Sequence, residues 1–167
     1  MSKIITLNNI EAIVFDFDGV LTNNIVHLDE NGREFVSCSR SDGLAFDALR
    51  KLKKPVYIIS TEKNSVVSAR AKKLKVPVLQ GIKDKYDALI KLSDNYNYNY
   101  ENILYVGNDL NDYKVMKLCG YTACPEDSHK KIKEISSIVL SSKGGNGVVR
   151  ELLEDVLEVD LIKVLFN

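Results

Sequence analysis

The sequence predicts an α/β sandwich with a mainly parallel sheet, and three observations predict it. Short apolar runs recur along the chain, amphipathic stretches of helical spacing separate them, and the first run ends in two closely spaced acids. Strands are expected near residues 11–16, 55–60, 76–79, 103–107 and 137–140. Helices are expected near 43–53, 64–74, 84–94, 110–118, 128–134 and 147–157.

Taken in order, the run Ala12-Ile13-Val14-Phe15 leads directly into Asp16-Phe17-Asp18-Gly19-Val20-Leu21-Thr22. Acids at i and i+2 leave a strand tip on one face, and Gly19 lets the backbone turn away behind them. Two anions held that close call for a cation. Residues 24–37 then break the alternation. Ile25-Val26-His27-Leu28 and Arg33-Glu34-Phe35-Val36 flank Asp29-Glu30-Asn31-Gly32, which reads as a hairpin with Asn-Gly at its turn, placed to stand over the acid pair. The second strand ends in Ser60-Thr61. The fourth ends in Asn108-Asp109, with Asp112 one helical turn on, and Lys85 lies just inside the helix that follows Gly81. The polar tract 93–100 reads as a loop, although its three Tyr leave a packing role open. No repeat or composition shift divides the chain, so residues 1–167 read as one domain, with a glycine-rich tail at 143–151.

Bulk properties exclude several classes of function. A chain of 167 residues can bury a sizeable core without staples. Lys plus Arg equals Asp plus Glu at 23 each, so no global field would hold nucleic acid or an anionic membrane. Any anionic ligand must be caught locally. Cys38, Cys119 and Cys124 are odd in number and lack a C-x-x-C pair, which argues against disulfides or thiolate zinc and for a role as small buried hydrophobes. No signal peptide and no apolar run of membrane-spanning length is visible. A cytoplasmic protein is the expectation.

Ligands of open α/β sheets sit outside the carboxyl ends of the strands. Those ends carry hard oxygen ligands, hydroxyls and an ammonium, a set that suits a phosphoryl group with Mg²⁺. In that chemistry Asp16 attacks phosphorus and Asp18 protonates the leaving alkoxide, then activates water against the aspartyl-phosphate. Asp109 completes the metal site, and Ser60 and Lys85 hold the remaining phosphoryl oxygens. Each piece also has a plainer reading. Ser60-Thr61 can be an N-cap, Lys85 a solvated lysine, and Asp112 can cap or orient as well as bind metal. The order of the pieces carries the weight.

That order resembles the four motifs of the haloacid dehalogenase-like phosphohydrolases: Asp16-x-Asp18-Gly-Val-Leu-Thr22, Ser60, Lys85 in Gly81-Ile82-Lys83-Asp84-Lys85, and Gly107-Asn108-Asp109-Leu110-Asn111-Asp112. The hairpin in place of a cap domain, Ser41-Asp42-Gly43 and the tail Lys143 to Glu151 are similar to the capless subgroup. That subgroup contains 3-deoxy-manno-octulosonate 8-phosphate phosphatases, acylneuraminate 9-phosphate phosphatases and a domain fused to some acylneuraminate cytidylyltransferases. The resemblance implies a Rossmann-like three-layer sandwich, Mg²⁺ bound by Asp16, the Asp18 carbonyl and Asp109, and a homotetramer whose hairpins and tails help to close neighbouring sites. It also implies a small-molecule substrate, a 2-keto-3-deoxy sugar acid phosphate, with Glu62, Arg70 and Lys73 as candidate contacts to the sugar acid. Two positions depart from the usual pattern. Asn108 stands where many relatives carry an acid, with supporting rather than metal-binding character, and Ser60 replaces Thr, so that either Ser60 or Thr61 can supply the phosphate-binding hydroxyl. Two other classes remain open. One is an oligomerisation partner of a cytidylyltransferase with weak catalysis. The other is a phosphoacceptor signalling domain, which also uses an aspartate, a hydroxyl and a lysine.

Overall fold

The computed structural model describes residues 5–167. At its centre lies β1 (Ala12–Phe15), paired in parallel with β4 (Val56–Ile59) on one side and β6 (Ile103–Val106) on the other. Beyond β4 comes β5 (Val78–Leu79), and beyond β6 come β7 (Tyr121–Cys124) and β8 (Ile138–Val139), all parallel. A separate antiparallel hairpin, β2 (His27–Leu28) and β3 (Glu34–Phe35), follows the first strand. Its turn is tied by Asp29, whose Oδ1 accepts from the backbone N–H of Asn31 and Arg33 at 2.9 Å each.

Period-2 alternation assigns each strand residue to a layer. Ile13 and Phe15, Val56 and Ile58, and Leu104 and Val106 face one core. Their neighbours Ala12 and Val14, Tyr57 and Ile59, and Ile103 and Tyr105 face the other. The first core is covered by α1 (Arg40–Lys51) and α2 (Ser65–Leu74), then by α6 (Val148–Glu151), which runs into a π-helical turn at Leu152–Val156, and by α7 (Leu161–Phe166). The second is covered by α3 (Lys85–Tyr96), α4 (Tyr113–Leu118) and α5 (Lys130–Ile135). With helices on both faces, β1, β4 and β6 are buried apolar runs, which makes them legible in the sequence.

The structure differs from the sequence expectation in four places. β7 adds a strand that its composition hides: Tyr121-Thr122-Ala123-Cys124 has no run of large aliphatics, yet all four residues are buried. Helix α3 continues through Tyr96, so half of the tract read as a loop is helical. Tyr96 and Tyr98 stack at 5.6 Å, and the Tyr98 and Tyr57 hydroxyls lie 2.9 Å apart, which gives the tyrosines a packing role. The stretch read as a helix from 110 begins as a 3₁₀ turn (Leu110–Asp112) and becomes α-helical at Tyr113. Finally, α7 lies beyond the last helix expected.

Candidate active site

The carboxyl ends of β1, β4 and β6 open into one cleft of about 490 Å³, lined by Asp16, Asp18, Thr61, Glu62, Asn108 and Asp109, with Asn24, Glu34 and Asn64 at its hairpin side. Asp16 extends the β1 ladder by one residue, its N–H donating to Val106 O at 2.9 Å. The chain then turns in a single helical coil: Phe17 O accepts from the N–H groups of Val20, Leu21 and Thr22. Thr22 Oγ1 ties the loop together. It accepts from Gly19 N at 3.2 Å and Asn24 N at 3.1 Å, and donates to Asp18 Oδ1 at 3.4 Å. Gly19 adopts φ +81°, and a Cβ there would collide with the Asn108 side chain.

Lys85 is buried at the first turn of α3 and bridges two acids, with Nζ 2.7 Å from Asp16 Oδ1 and 2.8 Å from Asp112 Oδ1. Burial favours its neutral form, but the charges of Asp16 and Asp112 outweigh that and hold it above the ordinary lysine range. Burial, and then the Asp112 charge, push the Asp16 carboxyl up, against the pull of Lys85. Asp18 is also raised, first by burial and then by the Glu62 charge. Asp112 is fully enclosed: Oδ1 takes Lys85 and the Tyr105 hydroxyl (3.0 Å), and Oδ2 takes the N–H of Asn108 (2.9 Å) and of Asp109 (3.4 Å). It orients the lysine and the Asn108-Asp109 turn and has no oxygen left for an ion. Tyr105 has no place in the motif reading, but strand alternation directs it to the α3 and α4 side.

Asn108 and Asp109 stand side by side at the end of β6, and both line the cleft. The Asp109 carboxylate accepts from its neighbour Leu110 N at 2.7 Å as the cap of the 3₁₀ turn, and it sits at the cleft wall. The buried Asn108 amide instead lies 2.9 Å from the Asp18 carbonyl oxygen and 3.2 Å from Asp16 Oδ2. With its nitrogen inward it donates to both. Among the described residues no three acid, histidine or cysteine side chains converge into a metal site on their own. The Asp16 and Asp109 carboxylates and the Asp18 carbonyl oxygen are hard oxygen donors on one cleft wall, and such a set fits a hard cation such as Mg²⁺.

Ser60 is buried at the end of β4, and its Oγ accepts from Glu62 N at 3.1 Å, leaving its proton uncommitted; Thr61 lines the cleft. Of the three candidate sugar contacts, only Glu62 reaches the cleft. Arg70 donates to Ser39 O at 2.8 Å, bracing the segment before α1. Lys73 lies on the exposed side of α2, whose inward residues are Val67, Ala71 and Leu74. Two residues past Ala71, it points away from them. Glu34, unmarked in the sequence, accepts from Asn64 Nδ2 at 2.8 Å and so fastens the hairpin beside the cleft. The tail also has an internal role: Gly145 N donates to Val20 O at 2.9 Å, and Gly144 lies so close to Gly19 and Thr22 that a side chain would not fit. Among the described residues no helix is long and apolar enough to cross a membrane.

A parallel sheet with paired acids at the tip of its first strand, a buried lysine and an acid-rich turn after the third motif defines a class that the comparisons make specific. Residues 48–152, more than half of the chain, match the family model of the haloacid dehalogenase-like hydrolases, and the chain belongs to that family. It is a phosphoric monoester hydrolase. Among relatives, the 3-deoxy-D-manno-octulosonate 8-phosphate phosphatase of Escherichia coli K12 is 31% identical over 150 residues, covering 89% of this chain and 80% of that one. The phosphatase of the same name from Moraxella catarrhalis, solved with magnesium, phosphate and the sugar acid, superposes with a TM-score of 0.85 at 27% identity, covering 95% and 88% of the two chains. A chain from Streptomyces avermitilis, assigned provisionally to the same hydrolase family, gives 0.92 at 41% identity, with 96% and 92% covered.

Proposed function

We propose that this chain is a Mg²⁺-dependent phosphatase of a 2-keto-3-deoxy sugar acid phosphate, acting through an aspartyl-phosphate on Asp16. The observation that carries the reading is Lys85, buried between Asp16 and Asp112 at the mouth of β1. Such an ammonium orients the nucleophile and meets the phosphoryl oxygens as charge shifts onto them. Its retention weighs against a purely structural partner of a cytidylyltransferase.

Asp16 Oδ2 attacks phosphorus. Asp18, whose carboxyl is held above the ordinary range by burial, gives a proton to the departing sugar oxygen. The same carboxylate then takes a proton from water attacking the acyl phosphate, which regenerates Asp16 and releases inorganic phosphate. Ser60 and Lys85 hold the other phosphoryl oxygens, with Thr61 next to them on the cleft wall. Asp16, the Asp18 carbonyl and Asp109 would hold the metal, with the Asn108 amide bracing Asp16 and Asp18 beside them. When bound, the ion would cancel repulsion between the carboxylate and the anionic ester. The relatives' printed substrate makes an octulosonate 8-phosphate the first compound to test, with nonulosonate 9-phosphates beside it.

The test is phosphate release from that panel with and without Mg²⁺. Release that needs the metal and disappears in Asp16→Asn supports the reading. No release from any sugar acid phosphate, or an Asp16→Asn variant as active as the parent, overturns it.

A further inference from the structure

Two stretches that stand out in the sequence, Ser41-Asp42-Gly43 and the glycine-rich segment 143–147, take no part in the chemistry above. In the fold they meet. Gly147 occupies the position that caps α6 and has no side chain with which to do so. The first N–H groups of that helix therefore need an acceptor from elsewhere. Asp42, buried in the first turn of α1, supplies it from more than a hundred residues away: its Oδ1 accepts from Val149 N at 3.0 Å and from Arg150 N at 3.1 Å.

Before this cap, residues 141–147 form a strap over the catalytic loop. Glu151 fixes its beginning, its two carboxylate oxygens accepting from Ser141 N and Ser142 N at 2.7 Å each. The exposed Asp127 fixes its middle, accepting from Gly144 N at 2.9 Å. Asp42 fixes its end. Held in this way, the strap lies backbone to backbone on residues 19–23. Gly145 N donates to Val20 O at 2.9 Å, a Cβ on Gly144 would come within 2.2 Å of Gly19 O, and one on Gly145 within 2.4 Å of Asn23 N. Only glycine permits so close an approach. The braced segment includes Thr22, whose Oγ1 donates to Asp18 Oδ1 at 3.4 Å. A path of direct contacts therefore runs from Asp42 through the start of α6 and the strap to the carboxylate that serves as acid and base.

Resting on the phosphatase reading above, we propose that Asp42 is a positioning residue for catalysis: it anchors the strap, and the strap keeps the loop that carries Asp16 and Asp18 in its reactive geometry. Small displacements matter there, since misplacing a reacting group by about 1 Å can cost on the order of a hundredfold in rate. The role calls for a hydrogen-bond acceptor at the start of α6, so Asn should serve at position 42 and Ala should not.

The experiment compares the parent with Asp42→Ala, Asp42→Asn and Asp127→Ala, well below their melting temperatures, by backbone hydrogen exchange and by kinetics on the sugar acid phosphate that the parent hydrolyses best. In Asp42→Ala the amides of residues 17–24 should exchange about tenfold faster while those of α4 and α5, on the opposite core, stay as in the parent. In the same variant kcat should fall about tenfold with KM within about twofold. Asp42→Asn should restore both. Asp127→Ala, a change at an exposed position, should shift both in the direction of Asp42→Ala, and it carries the test if Asp42→Ala does not fold. Unchanged exchange at 17–24, exchange raised equally along the whole chain, an unchanged kcat, or an Asn variant as impaired as the Ala variant overturns the proposal and leaves the phosphatase reading standing. A parent that releases no phosphate from any sugar acid phosphate overturns that reading, and the exchange comparison then decides the brace by itself.

Discussion

Asp112 shows how little freedom the catalytic residues have, because four donors fill its two oxygens and one of those donors is Lys85. Replacing Lys85 by Met would leave two facing carboxylates buried without a cation, and breaking a buried pair of this kind costs about 3–5 kcal/mol. Lys85→Met should therefore lose activity and also unfold at markedly lower urea, whereas Asp16→Asn should lose activity and keep its unfolding free energy within about 1 kcal/mol of the parent. Urea titrations of both variants check this. Asn108 invites a second comparison. A carboxylate there would sit 2.9–3.2 Å from the Asp18 carbonyl oxygen and Asp16 Oδ2. Asn108→Asp should bind Mg²⁺ more tightly, on the order of tenfold by calorimetry, and melt lower than the parent in EDTA, because repulsion replaces two donated hydrogen bonds. Equal melting in EDTA would show that the amide is not holding the metal-free loop.

At the scale of elements, the tail is joined to α1 by one acid. Asp42 Oδ1 accepts from Val149 N and Arg150 N at 3.0 and 3.1 Å, while its buried Oδ2 has no partner. Burial raises its carboxyl to about 6 against those hydrogen bonds. Because the folded protein binds this proton more tightly than the unfolded chain, the group costs stability that grows as pH rises from about 4 to 6 and is constant above. The shift corresponds to about 3 kcal/mol. Asp42→Asn keeps an acceptor for the two N–H groups and removes the ionisation. The difference in unfolding free energy between variant and parent should move by roughly that amount, in the variant's favour, from pH 4 to pH 8. A difference flat with pH would contradict it. Elements of this kind divide sharply in legibility. β1, β4 and β6 announce themselves by unbroken aliphatic runs, whereas Tyr121-Thr122-Ala123-Cys124 becomes a strand only because β6 offers it an open edge. Asp16, Asp18 and Lys85 are readable from type and order. The contact of Asn108 with Asp16 and Asp18 is not, because it depends on which of two adjacent side chains the 3₁₀ turn claims as its cap.

For the whole molecule, the hairpin carries Ile25, Leu28 and Phe35 at 54%, 67% and 54% exposure, an apolar surface that nothing in the single chain covers. The family resemblance leads us to expect a homotetramer assembled through it. Phe35→Glu should then sediment as a smaller species than the parent in analytical ultracentrifugation, and a parent that is already monomeric would contradict the expectation. A different consequence follows from the contact of Gly144 and Gly145 with the backbone of residues 19–22. The brace of the catalytic loop emerges from the ribosome more than a hundred residues after the loop itself. A nascent chain halted before Lys143 would carry every motif acid and still lack the support that seats them, so catalysis should switch on only after residues 143–145 have emerged.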